Sequence, residues 1–276
     1  MTQPTVTFIG GGNMARAIYG GLLDSGFSAA NLAVVDPSAA AQDNARQAGI
    51  EHVFDSAPDE VLLSDLIVLA IKPQITKAVL QPLAGRLGTK SLVLSIVAGI
   101  NTESLASLLG LSNAGHIIRC MPNTPALVGE GMTGLYACTE AGSAEGKALA
   151  ERVMSSVGQC VWVENESDLD VVTAISGSGP AYFFLFIESL TDAAIALGMN
   201  SESARKLALQ TALGASRLAS LSNEDAATLR QNVTSPGGTT EQAIQAFEAA
   251  DIRGIVAQAT QAAARRSVEL SKEFGA

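Results

Sequence analysis

Four short segments combine residue types and spacings that can do chemistry. Residues 6–15 read VTFIGGGNMA, in which Gly10, Gly12 and Ala15 satisfy the pattern G-x-G-x-x-(G/A). Gly10 permits a tight turn, Gly12 lets the backbone approach a diphosphate, and Ala15 is small enough for a helix to lie on the preceding strand. Free N–H groups and the dipole at the start of that helix favour an anion. The segment predicts a dinucleotide site, with a purely structural strand–turn–helix as the alternative. Asp36 ends the next apolar run. A carboxylate there accepts a hydrogen bond from the adenosine ribose and repels a 2′-phosphate, so local charge favours NADH. Asp36-Pro37-Ser38 could instead make a turn that caps the following helix.

The other three segments are TSPGGTTEQ at 234–242, SGSGPAY at 176–182 and MPNTP at 121–125. In the first, Thr239 followed by Gln242 fits a capping box. The amides of Gly238, Thr239 and Thr240 then lie at a helix N-terminus, a cradle for a small carboxylate that needs no lysine. An ordinary helix start is the alternative. SGSGPAY predicts a Gly/Ser break ahead of a helix. It is not a GxSxG nucleophile elbow, since Ser176 rather than glycine stands two before Ser178. MPNTP leaves the carboxyl end of a strand, the edge at which open α/β sheets bind ligands, or is a rigid turn made by two prolines.

The elements that must position these segments can be read from hydrophobic patterning. Apolar runs at Val6–Ile9, Leu32–Val35, 66–70, 92–96 and Ile117–Met121 are short, bounded by Gly, Pro, Asp or Ser, and apolar on both faces. That is the pattern of buried parallel strands. Helical spacing at 14–23 and Thr102–Leu109 alternates with them, which predicts a doubly wound α/β sheet. Runs at 132–137 and 160–163 extend the sheet around a helix at 144–155. After about Glu164 the strand signals stop. Helices are expected near 168–175, 181–197, 201–218, 225–231, 241–249 and 252–272. The predicted domains are therefore 1–163, a mostly parallel Rossmann sheet, and 164–276, an all-α half. The helix from Ala181 carries Tyr182, Phe183, Phe184 and Phe186 and is apolar nearly all round, so it must be buried, which predicts an obligate homodimer, with burial against the chain's own α/β domain as the alternative.

Composition limits the partners. The 276 residues are 47% hydrophobic and 16% charged, with 17 Lys+Arg against 27 Asp+Glu, a net charge of −10. Such a surface repels nucleic acid and anionic membrane. No apolar run is expected to reach the roughly 18–20 residues that span a bilayer. The first residues have no basic n-region, so no secretory signal and a cytoplasmic location are expected. Cys120, Cys138 and Cys160 are odd in number and widely spaced, and His52 and His116 are the two histidines. Neither a disulfide framework nor a metal site is expected.

In family order, FIGGGNMA (8–15), LAIKPQ (69–74), SIVAGI (95–100), MPNTP (121–125), SGSGPAY (176–182) and VTSPGGTTEQAI (233–244) make the chain resemble pyrroline-5-carboxylate reductases over essentially its whole length. The resemblance implies an N-terminal Rossmann domain and a C-terminal helical dimerisation and substrate-binding domain. It implies a substrate site formed across the dimer, and dimers that assemble further, often to a decamer. On the cofactor side it points to Ile9, Gly10, Gly11, Gly12, Asn13 and Met14, to Ala70, Ile71, Lys72 and Pro73, and to Val97, Ala98 and Gly99. On the substrate side it points to Glu166, Val233, Gly237, Gly238, Thr239 and Thr240, with Ser178 in the same pocket. This chain departs from the family pattern at Gln231, Ala57 and Asp36. Family habit says NADPH and the charge of Asp36 says NADH; Lys72 would offset part of the repulsion.

The implied reaction is hydride transfer to the C=N carbon of a cyclic imino acid, giving L-proline. The imine nitrogen arrives protonated, so the protein's work is mostly positioning. The Thr240 hydroxyl is the candidate partner of the ring nitrogen. The rivals are a reductase of another cyclic imino acid, since one methylene is worth only about 1–3 kcal/mol, and a non-catalytic NAD(P)H-sensing protein, which would not need the cradle at 237–240.

Overall fold

The computed structural model describes residues 3–138 and 143–274. They form two compact units, the described residues of 3–178 with 263–274, and Gly179–Ala262.

The first unit is built on an eight-stranded sheet: β1 (Val6–Ile9), β2 (Leu32–Val35), β3 (His52–Phe54), β4 (Leu66–Leu69), β5 (Leu92–Ser95), β6 (Ile117–Met121), β7 (Gly131–Ala137) and β8 (Gly158–Trp162). The spatial order is β3-β2-β1-β4-β5-β6-β7-β8. All neighbouring pairs are parallel except β6 and β7. Strand order reverses between β1 and β4, so the carboxyl ends of those two strands open the crevice where doubly wound sheets bind ligands. Helices α1 (Asn13–Asp24), α2 (Ala39–Gln47), α3 (Asp59–Leu62), α4 (Thr76–Leu80), α5 (Thr102–Leu109) and α6 (Ala144–Met154) connect the strands.

Alternation along each strand feeds two cores. On β4, Leu66 and Val68 join Phe8, Ile18, Tyr19 and Met154, while Ile67 and Leu69 join Val93, Leu105 and Leu109. This double-sided burial is why the strands read as unbroken apolar runs. Phe8 and Tyr19 meet edge to face with centroids 5.8 Å apart. β3, α2, α3 and α4 are elements that patterning does not delimit. β3 is a short edge strand with His52 exposed, and α2 buries only Ala45, so neither carries an apolar period.

The chain continues through α7 (Asp168–Val172) and a π-helical turn, Thr173–Gly177. The expected Gly/Ser break is therefore reduced: Ser176 and Gly177 complete the π turn, closed by Ser178 N–H donating to the Thr173 carbonyl at 2.8 Å, Ser178 alone is left as a bend, and Gly179 already begins the next helix. Helix α8 (Gly179–Ala196) follows, then α9 (Ser201–Leu221), α10 (Ala226–Asn232), α11 (Thr239–Ala249) and α12 (Ile252–Phe274). Asn200 and Asp225 cap α9 and α10 by accepting from Ser203 N–H and Thr228 N–H. α8 and α9 pack on each other, and Phe186 meets Phe247 at 6.1 Å.

Two features depart from expectation. By length and composition, Asp168–Ala196 is long and apolar enough to cross a membrane, so the expectation that no run reaches that length fails here. The last turns of α12 also belong to the first unit rather than to the helical one. Ser267 donates to Asp170 at 2.6 Å, and Phe274 packs on the core beside Ile100.

Candidate active site

The glycine turn is fixed by backbone geometry. β1 ends at Ile9, and Gly10 N–H donates to the Val35 carbonyl at 2.8 Å with φ at +101°. A Cβ at Gly10 would collide with the Ala70 carbonyl. Gly11 packs against Ala41 and Val34, and its N–H donates to Asp36 Oδ2 at 2.7 Å. Gly12 is the N-cap of α1, with no side-chain cap, and a Cβ there would meet nothing within 4 Å. The amides of Asn13 and Met14 open the first turn of the helix, where intrahelical acceptors are lacking. Space in front of Gly12 together with uncapped amides fits a dinucleotide diphosphate.

Asp36 has more than one task. Its Oδ1 accepts from Ser38 N–H at 2.8 Å, its backbone carbonyl accepts from the Gln42 amide at 2.9 Å, and its N–H donates to Phe54. Asp36 thus makes the turn, and it also lines a cavity of about 370 Å³ beside Gly10. The walls of that cavity include Ile9, Val35, Ala57, Ile71 and Leu83. Asp55 and Arg86 also line it, and the spacing of the sequence gave no sign of either.

The remaining cofactor candidates stand at the carboxyl ends of neighbouring strands. Ala70 N–H continues the ladder to Ile9. Ile71 lines the cavity, exposed Lys72 precedes the 3₁₀ turn Pro73–Ile75, and Lys72 does not line the cavity. Val97 is buried and takes the Ser95 hydroxyl as acceptor at 3.3 Å. Ala98 is half-buried. Gly99 has φ +75°, and a Cβ on it would stand 3.3 Å from the Leu270 backbone. Of the predicted cofactor residues, Ile9, Gly10, Asp36 and Ile71 line this one cavity, while the others stand in the segments that follow β1, β4 and β5.

Glu166 is held by its own chain. Oε1 accepts from Thr102 N–H at 2.7 Å and from Arg119 at 2.8 Å, and Oε2 accepts from the Thr102 hydroxyl at 3.0 Å. The Arg119 and Glu166 side chains are 12% and 24% exposed, so the pair is shielded. Arg119 was not singled out from the sequence; an arginine inside the apolar run IIRCM was the available signal. Burial first, then the Glu166 charge, pushes the Tyr136 hydroxyl above its ordinary pKa. Asn123 of MPNTP donates to Ser176 carbonyl and hydroxyl at 3.1 and 3.3 Å and accepts from Met132 N–H at 2.9 Å, tying that loop to the π turn before Ser178.

In the second unit, Val233 is 63% exposed after α10, and Gly237 has φ +72°. The expected capping box does not form. Gly238, not Thr239, is the N-cap; Thr239 is already helical, so its hydroxyl is no longer placed to cap. Gln242 contributes its backbone N–H to the Gly238 carbonyl at 3.3 Å. Glu241 reaches back instead, accepting from Gly237 N–H at 2.7 Å. Gly238 N–H is also taken, by the Ser235 carbonyl at 3.0 Å. The predicted cradle therefore shifts by one residue, to the first-turn amides of Thr239, Thr240 and Glu241.

Comparison with known proteins agrees with both units. A family model described as pyrroline-5-carboxylate reductase dimerisation matches residues 166–270, and one described as NADP oxidoreductase, coenzyme F420-dependent, matches residues 5–99. A pyrroline-5-carboxylate reductase of Pseudomonas aeruginosa is 45% identical over 277 residues, covering 100% of both chains. The solved pyrroline-5-carboxylate reductase of Coxiella burnetii is 40% identical with a TM-score of 0.90, covering 98% of this chain and 99% of its own. The Plasmodium falciparum pyrroline carboxylate reductase, solved with NADP bound, is 32% identical with a TM-score of 0.83 and the same coverage. With identity of this level end to end, and with the glycine turn and the 237–240 turn built as they are, the chain belongs to the pyrroline-5-carboxylate reductase family.

Proposed function

We propose that this chain reduces the cyclic imine 1-pyrroline-5-carboxylate to L-proline with NADPH or NADH, the last step of proline biosynthesis. The observation that carries the reading is full-length similarity joined to two uncapped helix starts, one suited to a diphosphate and one to a small carboxylate. When bound, the reduced nicotinamide supplies the hydride, and the protonated imine needs no further proton to become an amine.

The chain's own residues bind and orient. Gly10, Gly11, Gly12, Asn13 and Met14 hold the diphosphate by backbone, and Asp36 accepts from a ribose hydroxyl. Ala70, Ile71, Lys72, Pro73, Val97, Ala98 and Gly99 line the rest of the cofactor track. Amides of Thr239 and Thr240, on the turn Gly237–Gly238, hold the substrate carboxylate, and Val233 supplies apolar contact. Thr240 is the catalytic candidate, its hydroxyl meeting the ring nitrogen. Ser178 and Glu166 are substrate-side positions, Glu166 using lone pairs beyond those given to Thr102 and Arg119.

The reading places the Rossmann domain at 1–163 and the dimerisation and substrate-binding domain at 164–276, in a homodimer that assembles further, to a decamer, in the cytoplasm. The test is oxidation of NADH and NADPH with 1-pyrroline-5-carboxylate and with its six-membered homologue. Proline formed from the five-membered imine supports the reading. Cofactor binding without turnover of either imine sinks it in favour of a sensor.

A further inference from the structure

The adenosine end of the cofactor track carries more charge information than Asp36 alone. The cavity beside Gly10 is walled by apolar side chains, and two carboxylates, Asp36 and exposed Asp55, line it. Its lining offers two side chains with donor groups, Ser56 and Arg86, and both are committed. The Ser56 hydroxyl donates to Asp55 at 3.0 Å. Arg86 donates through Nε and Nη2 to Asp59 Oδ1 at 2.9 and 2.7 Å, through Nη2 to the Ala57 carbonyl at 3.0 Å, and through Nη1 to the Pro82 carbonyl at 3.2 Å.

A 2′-phosphate brings nearly two negative charges and three acceptor oxygens, and it is stabilised by donors and cations. Here it would face two carboxylates and a guanidinium whose charge is already answered by Asp59. A ribose 2′-hydroxyl has the opposite requirement. It donates, and each Asp36 oxygen accepts one backbone bond and keeps a lone pair for a second. Lys72, the cation expected to offset part of the repulsion, does not line this cavity. Resting on the nucleotide site proposed above, we infer that the chain selects NADH over NADPH at the adenosine ribose, with Asp36 and Asp55 repelling the 2′-phosphate and Asp59 withholding Arg86 from it.

The test is direct titration of the full-length protein with NADH and with NADPH, substrate absent, followed by nicotinamide fluorescence and by calorimetry. The wild type should bind NADH at least about tenfold more tightly at low ionic strength, and the gap should narrow as salt is added. D55N removes one repelling charge and D59N releases Arg86. Each should shift the NADPH-to-NADH affinity ratio about three- to tenfold toward NADPH. D36S should shift it further if the protein folds, but that variant also loses the Gly11 and Ser38 ties, so the other two decide. Equal or tighter wild-type binding of NADPH overturns the inference while leaving the nucleotide site intact. So does a D55N or D59N effect that moves both cofactors equally. Failure to bind either cofactor overturns the nucleotide site itself, and the inference with it.

Discussion

Thr240 is the residue on which the proposed chemistry leans most. It sits second in α11, half-buried, and no hydrogen bond of its hydroxyl is found among the described residues. Thr240→Ala should lower kcat/KM about tenfold or more, since a hydrogen bond to a charged group is worth roughly 1.5–3 kcal/mol. Thr240→Ser should restore most of it, and steady-state kinetics decide. At the shielded Arg119–Glu166 pair, Arg119→Met leaves a carboxylate with one fewer partner. A loss of about 1–3 kcal/mol in urea unfolding is expected; an unchanged midpoint would show that Glu166 is held by Thr102 alone. Thiol chemistry gives a third check. Burial pushes the Cys120 thiol far above its ordinary pKa, and its Sγ donates to the Ser95 carbonyl at 3.5 Å. In the native protein Cys120 should stay unmodified by an aromatic disulfide reagent while half-buried Cys138 reacts, and Cys160, whose thiol burial also pushes up, should react more slowly than Cys138.

At the scale of elements, the glycine turn was legible in the sequence because its demands are on backbone space, which only particular residue types meet. Gly10→Ala should abolish dinucleotide binding in titration, because a Cβ has no room beneath Ala70 and φ is positive. Strands β1, β2, β4 and β5 were equally legible, since burial on both faces writes an unbroken apolar run. Four things were not. The reversal of β7 leaves no trace in residue pattern, because a strand's direction is set by its connection, not its faces. The cap of α11 was misplaced by one residue, since Gly238 and Thr239 are both acceptable cap residues and only backbone angles separate them. Glu166 and Arg119 lie 47 positions apart, and no spacing rule joins them. The π turn likewise depends on a distant residue, Asn123.

The apolar surface of the helical unit belongs to the whole molecule. Phe183, Phe184 and Leu185 on α8 are 64, 65 and 63% exposed within one chain. The matched dimerisation model covers this helix, so a second copy is what such a patch awaits. Phe184→Glu should shift sedimentation from dimer or larger species toward monomer, at a cost of several-fold in activity; unchanged sedimentation would place the interface elsewhere.

Asp36 anchors the Gly11 amide, begins the turn into α2 and lines the adenosine cavity. A lineage drifting toward the phosphorylated coenzyme could not exchange this one side chain freely, because the same substitution would loosen the glycine turn proposed to hold the diphosphate. Peripheral sites such as Asp55 and Asp59, which carry no such obligation to Gly11, offer the gentler evolutionary path.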